Sequence, residues 1–282
     1  MVETNGTLLK EETINKLKKI REKILFKISI DALTPEKHDR FRGLVGTFKQ
    51  ALKNIVYLRK VNIPVMINTV LTQWNKDEVA EIMDYFVVKL GCGHTLIVRI
   101  SALGRGKRKS SQNLNLSPKE LLNFLHEVYY PKFRTLVKKR YGNLYIEIPK
   151  PFIPNDIKIF PKCDWGIKIV GLTNKGEVGI CHYAPDNSIF TAGYLNKRKS
   201  LLDLWLYNDT FKKLRTFSPK RLKGICGNCK YARVCRGFCR IYAFQIYKDF
   251  YAPNPMCQQF YEEGLFPSES LIDTTKKCHY PD

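Results

Sequence analysis

The first half of the sequence predicts an α/β fold built on parallel strands, arranged as a layer or a barrel. Segments with apolar residues at helical spacing alternate with short runs rich in β-branched residues, and the links between them are short. Such alternation is typical of βαβ units, whose strands lie parallel. At 282 residues the chain is long enough for one large domain or two smaller ones.

The predicted strands and helices follow one another from the N-terminus. Val2-Glu3-Thr4 resembles the end of a strand, and further strands are predicted over KILFKISID, IPVMINTVL and TLIVRIS. Helices are predicted over residues 8–23, 48–56 and 75–90 by apolar residues recurring every three or four positions. Asn75 and Glu78 are interpreted as an N-cap pair that opens the third helix.

A capping box is the clearest local signal of the next helix. Ser117 and Glu120 flank Pro118 at the spacing at which side chain and backbone cap each other. The helix that begins there is expected to kink or break near Pro131, because proline lacks the N–H that a helix interior needs.

The character of the sequence changes around residues 149–163, where four prolines fall within fifteen residues. We expect a domain boundary near residue 155. Beyond it, GIKIVGLTNKGEVGICHY predicts a hairpin and SLLDLWLYNDTFKKLR predicts a helix. The residues after Cys257 are interpreted as a C-terminal tail.

Composition and net charge narrow the classes of protein to which the chain can belong. No apolar run approaches the length of a membrane span, and the N-terminal residues lack a signal peptide's apolar stretch, so a cytoplasmic protein without a membrane partner is expected. The formal net charge is +22. Its lysines and arginines are dispersed rather than gathered in one arm, which favours a thermophile-like surface over a nucleic-acid partner.

Nine cysteines without a secretion signal favour metal binding over disulfides. Between Cys226 and Cys239 they follow the pattern C-x2-C-x5-C-x3-C, and short C-x2-C turns bring thiolates together. Seven cysteines of the second half have spacings suited to ligation: Cys163, Cys181, Cys226, Cys229, Cys235, Cys239 and Cys257.

Seven thiols exceed what one metal ion requires. A single zinc would use Cys226, Cys229, Cys235 and Cys239 and would leave the others idle. In two-cluster ferredoxins the last cysteine of such a run serves the other cluster. The same exchange here predicts one iron–sulfur site at Cys226, Cys229, Cys235 and Cys257. A second site would take Cys163, Cys181 and Cys239, with its fourth ligand open.

This pattern resembles the SPASM auxiliary-cluster domain of radical S-adenosylmethionine enzymes. All seven cysteines and Gly176 match that domain's spacings, and CRGFCR is similar to its C-R-G-G-C-R run, with Phe238 in place of one glycine. Gly193, Trp205 and Arg215 match its intervening segment. The resemblance implies two [4Fe–4S] clusters held by residues 156–262, followed by a tail over 263–282.

The first half resembles the same superfamily, and the chain as a whole resembles its anaerobic sulfatase-maturating type. ETNGTLL, ISIDALTPEKHDRFRG, IPVMINTVLTQWNKDEVAEI and SALGRGK are similar to its strand-end motifs. The implied fold for residues 1–155 is an incomplete, TIM-like (β/α)6 partial barrel that lacks its first two strand–helix units. By the resemblance Asn5, Ser29, Asp31 and Arg42 lie near the cofactor-binding rim, whereas their ordinary interpretation is as turn-forming or capping residues.

The catalytic-cluster motif of that superfamily, C-x3-C-x2-C, does not occur in these 282 residues. We therefore expect S-adenosylmethionine to bind only if the missing N-terminal part is supplied, and catalysis by this chain alone is in question. Three interpretations stand: a late start codon or split gene, a separate chain that carries the missing barrel half, or a non-catalytic relative that binds a peptide.

In a complete enzyme the resemblance implies hydrogen-atom abstraction from a peptide or protein substrate by a deoxyadenosyl radical. His182 stands where sulfatase-maturating relatives carry a base, with Asp186 four residues on. Two alternatives from other classes are a zinc-bearing, basic nucleic-acid-binding protein and an electron-carrying subunit.

Overall fold

The computed structural model describes residues 1–102, 104–139, 141, 143–158, 163–164, 166–181, 188–196 and 199–272. The chain forms two compact units. Unit 1 comprises 1–100, 109–148 and 155–161, and unit 2 comprises 101–108, 149–154 and 162–282. The expected functional domains, 1–155 and 156–262, stay a prediction. No helix within the described ranges is long and apolar enough to cross a membrane.

Unit 1 is built on a five-stranded sheet that is parallel throughout, with the strands in chain order. This confirms the predicted α/β fold with a parallel sheet. The strands are β1 (Val2–Thr4), β2 (Phe26–Ser29), β3 (Val65–Val70), β4 (Gly93–Ile97) and β5 (Leu144–Glu147).

Helices connect successive strands of this sheet, as parallel pairing requires. They are α1 (Glu11–Leu17), α2 (Pro35–Arg42), α3 (Thr47–Lys60), α4 (Val79–Ile82), α5 (Lys109–Gln112), α6 (Pro118–Asn123) and α7 (Tyr130–Lys138). A 3₁₀ turn, Lys18–Lys23, follows α1, and a π-helical stretch, Met83–Lys89, follows α4. The residue span predicted for the first helix is thus divided between two helix types.

The main core of unit 1 lies between one face of the sheet and helices α1 and α3. Alternate strand residues such as Ile28 and Ile67 are fully buried there, and Ile14 and Ile55 pack against them from the helices. Because strand side chains alternate between faces, the intervening residues lie on the opposite face.

The sheet curls, as an ion pair across its other face demonstrates. Lys27 on β2 lies 3.4 Å from Glu3 on β1 and 3.8 Å from Glu147 on β5. In a flat sheet β2 and β5 would stand roughly 14 Å apart, because three interstrand steps separate them. The ends of the Lys27 and Glu147 side chains can therefore meet only across a concave face, which is the curvature of a partial barrel.

The capping box at Ser117 is confirmed. The Ser117 hydroxyl accepts a hydrogen bond from the Glu120 N–H (3.3 Å), and the Glu120 carboxylate accepts one from the Ser117 N–H (2.9 Å). The helix does not break near Pro131, because a π-helical stretch, Phe124–Tyr129, continues from α6 into α7; a kink there stays a prediction. A π bulge is one of the few ways in which a helix accommodates an irregularity without ending.

The N-cap interpretation of Asn75 is wrong. Its side chain makes no capping hydrogen bond. Instead Asn75 Oδ1 accepts from the Thr72 N–H (2.8 Å) and hydroxyl (3.0 Å), and its Nδ2 donates to the carbonyl oxygens of Asp31 (2.6 Å) and Val70 (2.8 Å). The Glu78 carboxylate likewise reaches away from its own helix, to the N–H groups of Leu33 and Thr34. Both side chains thus bind the segment between β2 and α2, which lies 44 or 45 positions away in sequence.

Unit 2 contains a small antiparallel sheet of β6 (Gly171–Leu172), β7 (Glu177–Gly179) and β8 (Thr191–Tyr194). The predicted hairpin is the β6–β7 pair. The predicted helix near residues 200–215 is two helices, α8 (Leu201–Tyr207) and α9 (Asp209–Arg215). Asn208 is extended between them and caps α9, since its side chain accepts the Thr210 N–H (2.8 Å).

The described part of unit 2 also contains the α-helices α10 (Gly224–Gly227), α11 (Ala232–Cys235), α12 (Arg240–Tyr247) and α13 (Pro255–Glu262). Helices α8 and α9 are joined by Arg215, whose guanidinium lies 4.8 Å from the Trp205 ring centroid and donates to the Gly166 carbonyl. The apolar core of this unit contains Val178, Phe190 and Phe211.

Gly6, at the turn after β1, provides a test of this packing. Its φ is +75°, and a Cβ there would lie 2.8 Å from Ile28 Cγ2. We expect Gly6→Ala to lower the free energy of unfolding by about 2–4 kcal/mol, from backbone strain and overpacking together. Gly43 is the matched control, because its φ is +76° and nothing lies within 4 Å of its added Cβ. Gly43→Ala should cost only about 1 kcal/mol. Urea denaturation measures both, and equal losses would contradict the packing argument.

Candidate functional site

The carboxyl edge of the sheet is held together by Asp31, just after β2. Asp31 is 1% exposed. Its Oδ1 accepts the Val70 N–H (3.0 Å), its N–H donates to His38 Nδ1 (3.2 Å), and its carbonyl accepts from Asn75. One residue thereby ties the end of β2 to the end of β3 and to helix α2.

Arg42, in the last turn of α2, pairs with Asp31. Arg42 Nη2 lies 2.6 Å from Asp31 Oδ2, so the structure brings these two predicted rim residues together. Burial raises the pKa of Asp31, and the Arg42 guanidinium and the Val70 N–H oppose that rise. Asp31 is thus inaccessible to solvent, while the Arg42 side chain stays 25% exposed.

The other two predicted rim residues differ in accessibility. Ser29 ends β2, is half-buried and pairs in register with Asn68 of β3. Asn5 is exposed and forms an Asx turn, in which its Oδ1 accepts hydrogen bonds from the N–H (3.1 Å) and hydroxyl (2.9 Å) of Thr7. Contact of Asn5, Ser29, Asp31 or Arg42 with a cofactor stays a prediction.

Sequence reasoning missed two residues of this edge, His38 and Glu78. His38 is 1% exposed and its ring lies edge-on to Phe48. Glu78 accepts hydrogen bonds from Leu33 and Thr34 and pairs with Lys37 (2.5 Å). Both residues lie in segments with helical periodicity, which does not indicate their partners. His38 contacts Asp31, 7 positions away, and Glu78 contacts Leu33, 45 positions away.

Four cysteines of unit 2 surround one cleft. Cys226, Cys229, Cys235 and Cys257 all line it, with Ile225, Ala232, Gly237, Pro151 and Phe266 forming the rest of its wall. The four thiols lie close around it, since its cavity volume is only about 10 Å³. These are the four residues that the sequence analysis assigns to one iron–sulfur site.

Short helical turns bring these thiols to the cleft. Cys226 lies in α10, Cys235 ends α11, and Cys257 lies in the first turn of α13. Asn254 caps α13, because its side chain accepts the Cys257 N–H (3.3 Å), and its own N–H donates to Cys226 Sγ (3.2 Å). One asparagine therefore positions two of the four sulfurs.

The sulfurs already receive hydrogen bonds of the kind that thiolates need. The Tyr231 N–H donates to Cys229 Sγ (3.4 Å), and Cys257 donates to Cys226, which lowers the pKa of the Cys226 thiol. Burial raises the pKa of Cys229 and of Cys235 to about 11. Binding a metal group would require deprotonation of these thiols.

A buried arginine lies beside this cleft. Arg240 is 1% exposed and donates to the carbonyl oxygens of Gly237 (2.6 Å), Ala252 (2.6 Å) and Phe250 (3.1 Å). Burial lowers the pKa of Arg240, and attraction to Cys226, Cys239, Cys235 and Cys257 opposes that effect. Within the described part of the chain its Nε has no hydrogen-bond partner. An unpaired N–H donor on Arg240, close to several cysteines, is compatible with a bound sulfur-containing group as its acceptor.

The loop before Arg240 is shaped to admit the guanidinium. A Cβ on Gly237 would lie 2.7 Å from the Arg240 guanidinium carbon. Arg236, Gly237 and Phe238 all have φ between +54° and +70°. Phe238, which departs from the family's glycine, thus adopts the left-handed conformation that glycine adopts without strain.

The three cysteines predicted to bind the second cluster do not line this cleft. Cys163, Cys181 and Cys239 are partly buried and pack against the apolar core of unit 2. His182 and Asp186 lie outside the described residues, as does Cys278. Within the described ranges no three His, Cys, Asp or Glu side chains converge in a group able to hold a metal ion. Cys92 is fully buried in unit 1, where burial raises its pKa to about 12.

Known proteins resemble the chain in both sequence and fold. A family model described as the Radical SAM superfamily matches residues 1–86. An AdoMet-dependent heme synthase of Methanosarcina barkeri is 30% identical over 263 residues, which are 90% of this chain and 72% of that protein. The chain belongs to the radical SAM superfamily.

Two further similarities concern a bacteriocin biosynthesis protein and a protein bound to a precursor peptide. The subtilosin biosynthesis protein AlbA of Bacillus subtilis is 26% identical over 80% of this chain and 49% of its own length. The structure of Streptococcus suis SuiB bound to precursor peptide SuiA matches with a TM-score of 0.64 and 17% identity, over 91% of this chain and 58% of SuiB. The chain therefore spans about half of each of these two relatives.

Membership of this family implies a [4Fe–4S] cluster and S-adenosylmethionine as cofactors. The relatives include heme synthases and peptide-modifying enzymes. The comparisons do not support the nucleic-acid-binding alternative.

His38 gives the carboxyl edge of unit 1 a predictable pH dependence. Burial lowers its pKa from 6.5 to about 4, so the unfolded chain takes up a proton there more readily than the folded chain. This stabilisation is present above pH 6.5 and is lost as the pH falls toward 4. We expect it to contribute about 1–3 kcal/mol to the fall in unfolding free energy between pH 7 and pH 4.

Denaturant titrations across that pH range measure the effect. His38→Asn should flatten the fall, and His126→Asn, at an exposed histidine, is the matched control that should leave it unchanged. An equal slope for wild type and His38→Asn would contradict the assignment.

Proposed function

We propose that the chain is a radical SAM protein of the SPASM type, which takes part in modifying a substrate by hydrogen-atom abstraction. The observation that carries the proposal is the cleft shared by Cys226, Cys229, Cys235 and Cys257 in a member of this superfamily. Their spacing matches an auxiliary-cluster motif.

The four cleft thiols are proposed to hold one auxiliary [4Fe–4S] cluster. A cluster needs its thiolates spread around a body of several atoms, whereas a single zinc needs them to converge at about 2.3 Å from one point. Seven cysteines at the motif's spacings, where one zinc uses four, fit the former better. Arg240, whose guanidinium is attracted electrostatically to Cys226, Cys235 and Cys257, would compensate the negative charge of the thiolates.

Cys163, Cys181 and Cys239 are proposed ligands of a second [4Fe–4S] cluster, whose fourth ligand is open. Their support is the motif spacing and their packing against one apolar core. Such clusters, when bound, accept and donate single electrons. The role of this chain is to hold the clusters in apolar surroundings and to supply N–H groups that stabilise the cysteine thiolates.

In unit 1, Ser29 and Arg42 are proposed to contact S-adenosylmethionine once the C-x3-C-x2-C segment is supplied, in the same or a separate chain. Both are accessible at the carboxyl edge, where ligands of parallel sheets bind. Asp31 is buried, and its proposed part is to orient Arg42 through their 2.6 Å ion pair. Asn5 is proposed to shape the turn beside them.

A tetrapyrrole is the first candidate for the substrate class. It is favoured by the 30% identity to the methanogen heme synthase over 90% of this chain. A peptide is the second candidate, favoured by similarity to AlbA and by the fold shared with peptide-bound SuiB. His182 is proposed as the base that accepts a proton from either class of substrate.

Metal analysis of cysteine variants tests the cluster assignment. After anaerobic reconstitution we expect about eight irons and eight sulfides per wild-type chain, with broad brown absorption. Cys257→Ser and Cys163→Ser should each lower the iron content to about four, because each removes a ligand of a different cluster.

Cys92→Ser is the matched control and should keep the full iron content, since Cys92 is buried in unit 1. About one zinc per chain without sulfide would overturn the cluster proposal in favour of a zinc site.

Formation of 5′-deoxyadenosine tests the proposed activity. With dithionite and S-adenosylmethionine, we expect product only when a polypeptide carrying C-x3-C-x2-C is added or fused to the chain. Product formed by the 282-residue chain alone would contradict this dependence. Mass spectrometry of a carboxylated tetrapyrrole and of a precursor peptide, each supplied separately, then identifies the substrate class by the molecule whose mass changes.

A further inference from the structure

Unit 2 contains a second cleft, separate from the cysteines, that is lined by cations and aromatic rings. Its volume is about 540 Å³, within the range of roughly 300–1,000 Å³ that is typical of ligand sites. Lys213 of α9 and Arg221 bring positive charge to it, and Phe190, Phe250 and Tyr251 form much of its apolar wall.

Arg221 is held in place before any ligand arrives. Its Nη1 donates to the Tyr251 hydroxyl (3.0 Å), and its guanidinium carbon lies 4.1 Å from the Tyr251 ring centroid. Tyr251 in turn stacks on Phe217, with ring centroids 5.3 Å apart and planes 7° from parallel. A guanidinium has five N–H donors, and this contact uses one. Such preorganisation lowers the entropy lost on binding.

The charge around the cleft is of one sign. The described residues that line it include two cations and no carboxylate. The nearby Asp249 is engaged elsewhere, because it pairs with Lys223 (2.7 Å) and accepts the Tyr251 N–H (2.8 Å). A cationic cleft with an aromatic wall recognises an anion joined to an apolar body.

We propose that this cleft binds a carboxylate-bearing ligand, with Lys213 and Arg221 on the carboxylate and the aromatic wall against the apolar part. The carboxylate can belong to a tetrapyrrole or to an acidic peptide. The site stands on residues of unit 2 alone and needs neither clusters nor S-adenosylmethionine, so it goes beyond the proposed function.

Equilibrium binding to the full 282-residue chain tests the site. The two probes are coproporphyrin III, a tetracarboxylate tetrapyrrole, and a labelled peptide of alternating Glu and Leu. A Gln–Leu peptide is the neutral control. We expect Lys213→Ala/Arg221→Ala to raise the Kd of at least one probe tenfold or more, because two charge-assisted contacts are lost.

The matched control is Lys212→Ala/Lys220→Ala, which removes two exposed neighbouring charges outside the cleft. It should change the Kd by less than about threefold. If the double variant folds poorly, Lys213→Glu at an exposed position is the second variant, and it should likewise raise the Kd of at least one probe.

The pattern of losses identifies the source of the carboxylate. A loss for coproporphyrin III alone assigns a tetrapyrrole, a loss for the Glu–Leu peptide alone assigns an acidic peptide, and a loss for both supports the shared chemistry. Failure of both probes to bind, or equal loss in the site and control variants, overturns the proposal. A Gln–Leu peptide that binds as tightly as the Glu–Leu peptide overturns the acidic-peptide assignment. Iron analysis of the same samples keeps this result distinct from the cluster assignment.

Discussion

Burying a charged side chain costs several kcal/mol unless neighbouring groups satisfy it, and each unit of this chain is arranged around one such side chain. In unit 1 it is Asp31, which is satisfied by Arg42 and by the Val70 N–H. In unit 2 it is Arg240, whose two terminal nitrogens donate to three backbone carbonyls. The loops that carry these partners have little freedom, because any other path would leave the charge unpaired.

This constraint explains why the candidate sites lie where they do. The Asp31 contacts hold the ends of β2 and β3 and the C-terminal turn of α2 together, and Arg42 is thereby kept at the accessible edge of the sheet. The Arg240 contacts fold residues 237–252 around the guanidinium, next to the cysteine cleft. In both units a rigid polar contact positions side chains whose proposed roles require accuracy.

Local signals predicted those elements whose causes are local. The capping box at Ser117 depends on residues three positions apart, and the parallel strands follow from short apolar runs between amphipathic helices. Predictions failed where a distant partner decided the outcome. Asn75 makes no side-chain cap because its Oδ1 accepts from the Thr72 N–H and hydroxyl while the Asp31 carbonyl, 44 positions away, holds its Nδ2. The helix predicted over 200–215 divides at Asn208, whose Nδ2 donates to the Ala192 carbonyl.

The sequence by itself determined the α/β class, the family and the spacing of the candidate ligands, because these depend on periodicity and on residue types along the chain. Only the tertiary structure decided which side chains meet. Cys257 joins Cys226 across 31 positions through the α13 cap, Lys27 reaches Glu147 across a curled sheet, and His38 lies buried against Asp31. Such contacts arise from packing between elements that are distant in sequence. Neither the periodicity of apolar residues nor a local motif indicates them.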